Sequence, residues 1–199
     1  MRREKVGLLD LYEVGEADLS RPQYDSRKVT PGDAFFAIRG FAADGHAFIP
    51  QAIQNGASTI VIEDVTAFTR EDAMRGNVSR AVVKNSRTAL AFVSEWAFGA
   101  PSTKLRLIGV TGTNGKTTVT NLMRQFLRMK GETVGLLGTI GNWIGEEQIP
   151  ATHTTPESRD ISELLARMVT EKVTTCVMEV SSHALALERV AALDFDIAV

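Results

Sequence analysis

The stretch GVTGTNGKTT, residues 109–118, holds residue types that bind a phosphate chain. Gly112 and Gly115 flank Thr113 and Asn114, and Lys116, Thr117 and Thr118 follow. Glycine reaches backbone angles that let successive N–H groups converge on one anion. A helix N-terminus aimed at the same point adds partial positive charge. Lysine at this spacing reaches the outer phosphates, and the next hydroxyl can hold Mg2+. The common pattern GxxxxGK[ST] would ask for glycine at Val110. Instead, LRLIGV (105–110) reads as a buried parallel strand with Val110 at its end, and the phosphate loop begins beyond it.

A second constellation follows in MEVSSHAL, residues 178–185. It puts Glu179 at the end of another apolar strand, followed by Ser181, Ser182 and His183. Ligands of open α/β sheets bind at the carboxyl ends of the strands. Lys116 and Glu179 are therefore expected on one edge, where the acid holds Mg2+ directly or through water. The plainer reading of Glu179 is a cap on the next helix. His183 is either a group near the substrate or a packed or capping histidine. Arg189 suits an anionic substrate group or an ordinary surface ion pair. ATHTTPE (151–157) brings His153, Thr154 and Thr155 to the start of a helix, where N–H groups either meet an anion or are simply capped.

These residues need a scaffold, and the apolar periodicity supplies one. DAFFAI (33–38), STIVIED (58–64) and RAVVKN (80–85) read as strands. HAFIPQAIQNGA places Phe48, Ala52 and Ile53 at helical spacing and stops at Gly56. SRTALAFVSEWAFG (86–99) is an apolar-faced helix with Ser86 as cap and Gly99 as stop. GAPSTKL (99–105) is the best boundary between two halves. After the phosphate loop come a helix over 116–130, a strand TVGLLGT (133–139) and a helix from Pro156 to about Glu171. Thr155 caps this last helix and Pro156 sits at its first position. The strand TTCVMEV (174–180) completes a β-loop-α-β-α-β order, which implies right-handed parallel crossovers. The chain closes on the apolar strand LDFDIAV without turn, cap or polar tail, and so reads as a piece of a longer protein.

Bulk properties narrow the partners. The chain has 199 residues, 44% hydrophobic content and a formal net charge of −2. That suffices for one medium or two small packed domains. A basic surface for nucleic acid is not indicated. No apolar run reaches the roughly 18 residues of a membrane helix. The N-terminus lacks a signal-peptide pattern, which reads as cytoplasmic. The single cysteine, Cys176, lies in an apolar strand and is expected to be a buried structural thiol.

DSRKVTPGDAFFAIRGFAADGHAFI, GVTGTNGKTT, TTPES and MEVSSHALALERV together resemble the Mur ligases, in the family's order and across essentially the whole chain. TGTNGKT is that family's own form of the loop. The resemblance implies an α/β fold: a small UDP-MurNAc-binding domain over residues 1–101, then an incomplete P-loop parallel-sheet ATPase domain over 102–199. It implies ATP and Mg2+ as cofactors, and phosphorylation of a substrate carboxylate followed by attack of an amine on the acyl phosphate. The similarity is greatest to the branch that adds the third stem-peptide residue, diaminopimelate or lysine, to UDP-MurNAc-dipeptide. The sibling branch acting on the tripeptide shares the DSR…DGH region, but MEVSSHAL and TTPE argue against it. A non-catalytic nucleotide-binding module is the other alternative, opposed by the intact Lys116–Thr117 pair with Glu179.

Carried over by position, the resemblance assigns Gly112–Thr118 to ATP, with Lys116, Glu179 and His183 in catalysis. Thr117 and Glu179 fall near the metal. Tyr24 and Ser26, with the loop holding Phe41, Ala42 and Ala43, fall at the uridine nucleotide. His153, Thr154, Thr155, Ser181 and Arg189 fall along the UDP-MurNAc-peptide. His153 stands where some members have asparagine, and Leu187 where some have glutamine. The pocket for the incoming amino acid would lie beyond Val199, so these residues alone are expected to lack ligase activity. A monomer is expected.

Overall fold

A computed structural model describes residues 6–14, 17–40, 43–151 and 153–199. The chain forms two compact units, dividing between Ala97 and Phe98.

The first unit is a five-stranded sheet in the order β1-β5-β4-β3-β2. Its strands are β1 (Leu8–Tyr12), β2 (Pro22–Gln23), β3 (Ala34–Phe36), β4 (Thr59–Ile62) and β5 (Ser79–Val83). β2 to β5 pair in parallel, and β1 joins β5 antiparallel. Successive side chains of a strand point to opposite faces, and here both faces are apolar. Phe35, Ile60, Ile62 and Val82 pack with α1 (Ile49–Gln54) and α2 (Arg70–Gly76) through Ile49, Ala52 and Ala73. Phe36, Val61, Ala81 and Val83 pack with α3 (Ser86–Ala97) through Ala89, Leu90 and Val93.

Two local readings need correction. Phe48 is not on the buried face of α1; it ends a 3-10 turn (Gly45–Phe48) and its side is exposed. Ile49 and Ala52 take the core positions instead. Nor does Ser86 cap α3. The Asn85 carboxamide accepts from the N–H groups of Arg87 and Thr88, while Ser86 donates its N–H and hydroxyl to Glu63. An oxygen one residue earlier reaches the free N–H groups of the first turn.

The second unit is a six-stranded sheet in the order β11-β6-β10-β7-β8-β9. Strands β6 (Arg106–Val110), β7 (Val134–Leu137), β10 (Thr175–Glu179) and β11 (Ile197–Ala198) are parallel. β8 (Asn142–Ile144) and β9 (Glu147–Ile149) form an antiparallel hairpin on the β7 edge, absent from the sequence reading. Ile108, Val110, Val134 and Val177 meet Met123 and Leu127 of α4 (Lys116–Met129). On the other face, Leu107, Cys176 and Met178 pack with Ile161, Leu165 and Met168 of α5 (Ser158–Thr170). Cys176 is fully buried, and that burial pushes its thiol pKa up. Among the described residues no helix is long and apolar enough to cross a membrane.

Helix α5 starts later than the sequence suggested, with Glu157 at its N-cap. Thr155 is buried instead of capping. Its hydroxyl donates to the Glu179 carbonyl at 2.9 Å and accepts from the Ser181 N–H at 3.1 Å. This ties the segment before α5 to the end of β10.

Candidate nucleotide and metal site

The site grows from adjacent strand ends. Val110 and Glu179 are register partners at the carboxyl ends of β6 and β10. The loop leaves β6 with Gly112 at φ 138° and Gly115 at φ 84°, and Gly115 is the N-cap of α4. Both values lie where side chains other than glycine are strained. The turn therefore depends on these glycines, and it aims the first N–H groups of α4 over the sheet edge. A cavity of about 320 Å³ opens there. Thr113 to Thr118 line one side, and Thr139, Thr154, Glu179 and Ser181 line the other.

Lys116 donates its Nζ to the Gly112 carbonyl at 2.6 Å, folding back over its own loop. The Glu179 carboxylate is buried, 1% exposed. Its partners are the Thr117 hydroxyl at 2.9 Å, the Thr139 hydroxyl at 3.1 Å and the Thr139 N–H at 3.0 Å. Among the described residues no guanidinium or ammonium is a partner. A buried charge is costly unless compensated, and this one faces a cavity beside a threonine hydroxyl and a lysine. An oxygen-rich donor set of that kind suits Mg2+. Gly138 makes room for it: a Cβ there would lie 2.5 Å from Glu179 Oε1.

The structure gathers Thr113, Asn114, Gly115, Lys116, Thr117, Thr118, Glu179, Thr154 and Ser181 around one cavity. Thr155 lies just beneath, in the tie described above. Ser181 N-caps the short helix α6 (Ser182–Ala186) by accepting from the Ala184 N–H. His183 is exposed on α6 and does not line the cavity. His153 is also exposed. Arg189 donates to the Thr155 carbonyl at 2.9 Å and pairs with Glu157 at 3.4 Å. Thr139 was missed as a site residue. The signal available was a hydroxyl immediately after a parallel strand, at the edge where ligands bind.

The first unit has its own cavity of about 420 Å³, lined by Tyr24, Asp25, Ser26, Arg27, Phe48 and Gln51. The buried Ser26 hydroxyl donates to Gln51 Oε1 at 2.7 Å. Gln51 was not singled out from sequence, and Phe48 was read there as a helix position and not as a site residue. Of the expected loop, Phe41 and Ala42 lie outside the described residues. Ala43 is exposed, and its carbonyl accepts from the Gly40 N–H at 2.9 Å.

A glycine loop and a buried acid share the carboxyl edge of the parallel strands in an α/β protein, and comparison with known proteins gives its family. Residues 22–95 match the Mur ligase family, catalytic domain, and residues 110–199 match the Mur ligase middle domain. The chain belongs to the Mur ligases.

Within that family it is similar to UDP-N-acetylmuramoyl-L-alanyl-D-glutamate–2,6-diaminopimelate ligases, the MurE group. It is 45% identical to that of Alkaliphilus metalliredigens over 197 residues, covering 98% of this chain and 38% of the relative. It is 49% identical to that of Clostridium tetani over 181 residues, covering 91% and 37%. A solved structure of a ligase bearing the same name superposes with a TM-score of 0.73 at 28% identity, over 90% of this chain and 35% of the other. A MurF structure from Acinetobacter baumannii shares the fold, with a TM-score of 0.55 at 21% identity over 84% and 32%. The chain thus spans well under half the length of the curated relatives it matches.

Proposed function

We propose that this chain supplies the nucleotide site and the UDP-sugar site of an ATP-dependent ligase. That ligase joins diaminopimelate to UDP-N-acetylmuramoyl-L-alanyl-D-glutamate. The observation that carries the reading is the 2.9 Å contact between Thr117, directly after the loop lysine, and the buried Glu179 carboxylate. Residues 102–199 bind ATP in this reading, and residues 1–101 hold the UDP-MurNAc part through the Tyr24–Ser26 cavity. The names of the relatives support the choice of amino acid.

The chain's residues have separable tasks. The loop N–H groups and the α4 N-terminus hold the phosphates. Lys116 leaves the Gly112 carbonyl and turns its ammonium toward the transferring phosphoryl group. Thr117 and Glu179 would hold Mg2+, whose charge offsets that developing on the phosphoryl oxygens. Thr154 and Ser181, across the cavity, position the substrate carboxylate that is phosphorylated, and the buried Thr155 beneath them holds Ser181 through its N–H. ADP leaves as the acyl phosphate forms, and the amine then displaces phosphate to give the amide. Arg189 acts by fixing the Thr155 carbonyl. This chain covers 38% of the Alkaliphilus relative, so the full cycle is proposed for a chain of the relatives' length.

The test has two parts. First, the chain binds a fluorescent ATP analogue with Mg2+, and Lys116→Ala weakens binding roughly 10- to 100-fold, the scale of a charge-assisted contact. Equal affinity in the variant removes the loop from the reading. Second, phosphate release is measured from a protein carrying these residues in a chain of the relatives' length. Release should require the UDP-MurNAc-dipeptide and diaminopimelate together. Release with the tripeptide instead would point to the sibling activity, and ATP binding without substrate-dependent release to a non-catalytic module.

A further inference from the structure

The Thr139 side chain occupies an unusual junction. It follows β7, and its hydroxyl lies 3.1 Å from Glu179 Oε2 and 3.0 Å from the Thr154 hydroxyl. Its N–H donates to Glu179 Oε1 at 3.0 Å. A hydroxyl has one proton and two acceptor positions. Glu179 is the stronger acceptor because it is charged. The consistent assignment is therefore a relay, with Thr154 donating to Thr139 and Thr139 donating to Glu179. Both carboxylate oxygens are then held by one residue, and Thr117 shares only Oε2.

The surrounding fold keeps this junction in place. Thr139 and Thr154 bracket the β8–β9 hairpin, so their contact closes its base. The hairpin is anchored from two helices. Arg124 of α4 is buried, stacks on Trp143 with its guanidinium 4.2 Å from the ring centroid, and donates to the Gly145 carbonyl at 2.7 Å. Arg128 of α4 pairs with Glu146, and Arg167 of α5 pairs with Glu147. The helix that starts at the phosphate loop therefore also braces the segment carrying both threonines.

We infer that Thr139 is a positioning residue for the cation site, orienting the Glu179 carboxylate and coupling it to Thr154 on the substrate side of the cavity. The inference rests on the Thr117–Glu179 reading of the metal site. A lone pair of the Thr117 hydroxyl can face the cation while its proton stays on Glu179, and Thr139 holds both carboxylate oxygens. The carboxylate is then preorganised, and the cation needs no rearrangement to find it. Groups that orient metal ligands typically change metal affinity 10- to 100-fold when removed.

The experiment titrates Mg2+ into the chain with a fluorescent ATP analogue and reads the Mg2+ concentration at half-maximal nucleotide binding. Nucleotide affinity in EDTA is measured alongside. Thr139→Val keeps the shape and the N–H but removes the hydroxyl. It should raise the Mg2+ midpoint about 10- to 100-fold and leave the EDTA affinity within about twofold. Thr139→Ser should restore the wild-type midpoint, which a simple packing role for the methyl group would not allow. An unchanged midpoint in Thr139→Val overturns the inference, as does an equal loss in EDTA or a failure of Thr139→Ser to rescue. If the wild type shows no Mg2+-dependent binding, the metal-site reading falls and the inference with it. A normal wild type beside an unaffected Thr139→Val removes the inference alone.

Discussion

Thr117 and Glu179 are separated by 62 positions in the chain, yet the threonine hydroxyl donates to the carboxylate at 2.9 Å. β6 and β10 lie side by side in parallel register, so the end of one strand and the first turn after the other must meet. The contact makes Glu179→Gln informative. Glutamine keeps the shape and can accept from the Thr139 N–H, while the threonine hydroxyls can rotate to accept from its amide. Folding stability should stay within about 1 kcal/mol, because neutral hydrogen bonds replace charged ones and a buried charge is removed. Mg2+-dependent binding of an ATP analogue should fall by more than about tenfold. Denaturant melts and Mg2+ titrations on the same samples separate these effects. An unchanged Mg2+ titration would rule Glu179 out as a metal ligand.

Gly138 tests the space behind the same carboxylate. A Cβ at this position would sit 2.5 Å from Glu179 Oε1 and 3.2 Å from Leu136 Cδ2. A Cβ at Gly135 would meet Met168 Sδ, also at 2.5 Å. The thioether can shift, since methionine is unbranched and adaptable, whereas Glu179 is held by Thr117 and Thr139. Each alanine variant should lose about 1–3 kcal/mol of stability from overpacking. Only Gly138→Ala should also weaken Mg2+-dependent nucleotide binding. Comparable binding losses in both variants would mean that general destabilisation, not carboxylate placement, is being read.

How much of this was legible beforehand follows from the range of the interactions. The loop and its flanking strand and helix are local: glycine spacing, an apolar run and a lysine suffice to mark them. Glu179 was legible because strand order puts parallel strand ends on one edge. Thr139 was not, because its role depends on Glu179 and Thr154 arriving from opposite directions. The β8–β9 hairpin was missed for a related reason. Its strands are three residues each, and Arg124, Arg128 and Arg167 hold it from elsewhere in the chain. Thr155 looked like a cap because threonine before proline usually marks a helix start. The buried carbonyl of Glu179 and the Ser181 N–H captured it instead, and Glu157 took the cap.

The acid limb of stability should report on the edge strand of the first unit. Asp10 on β1 accepts from Arg70 at 2.8 Å and from the buried Arg80 at 2.7 Å. Its carboxyl pKa is lowered, first by the hydrogen bond from Arg70 and then by that from Arg80. A carboxylate whose folded pKa lies below its unfolded value adds stability that is fully present above the unfolded value, about 3.9. That contribution is lost as pH falls through the folded value, so the window lies below about pH 4. Asp10→Asn should be less stable than the wild type at pH 7 and should lose less on acidification. The two stability curves should converge below pH 4. Parallel curves down to pH 2.5, measured by urea denaturation, would show that the ion pair carries no net linkage.

Cys176 gives a readout of the nucleotide site from inside the sheet. It is fully buried on β10, three residues before Glu179, and its thiol pKa is pushed up by desolvation. Only the exposed thiolate reacts with a disulfide reagent, so labelling must wait for this part of the sheet to open. A ligand that binds only the closed form suppresses opening by the factor 1 + [L]/Kd. Labelling should therefore slow about 100-fold when a Mg2+-bound ATP analogue is present at about 100 times its Kd. Lys116→Ala, tested at the same analogue concentration, should lose most of that protection while keeping the wild-type rate without nucleotide. The unliganded rate should change little, because the Lys116 ammonium bonds a carbonyl of its own loop, at Gly112, and not the sheet that must open. Rapid labelling of the native protein, on the time scale of an exposed thiol, would contradict the burial. Protection that is equal in wild type and Lys116→Ala would place the analogue somewhere other than the phosphate loop.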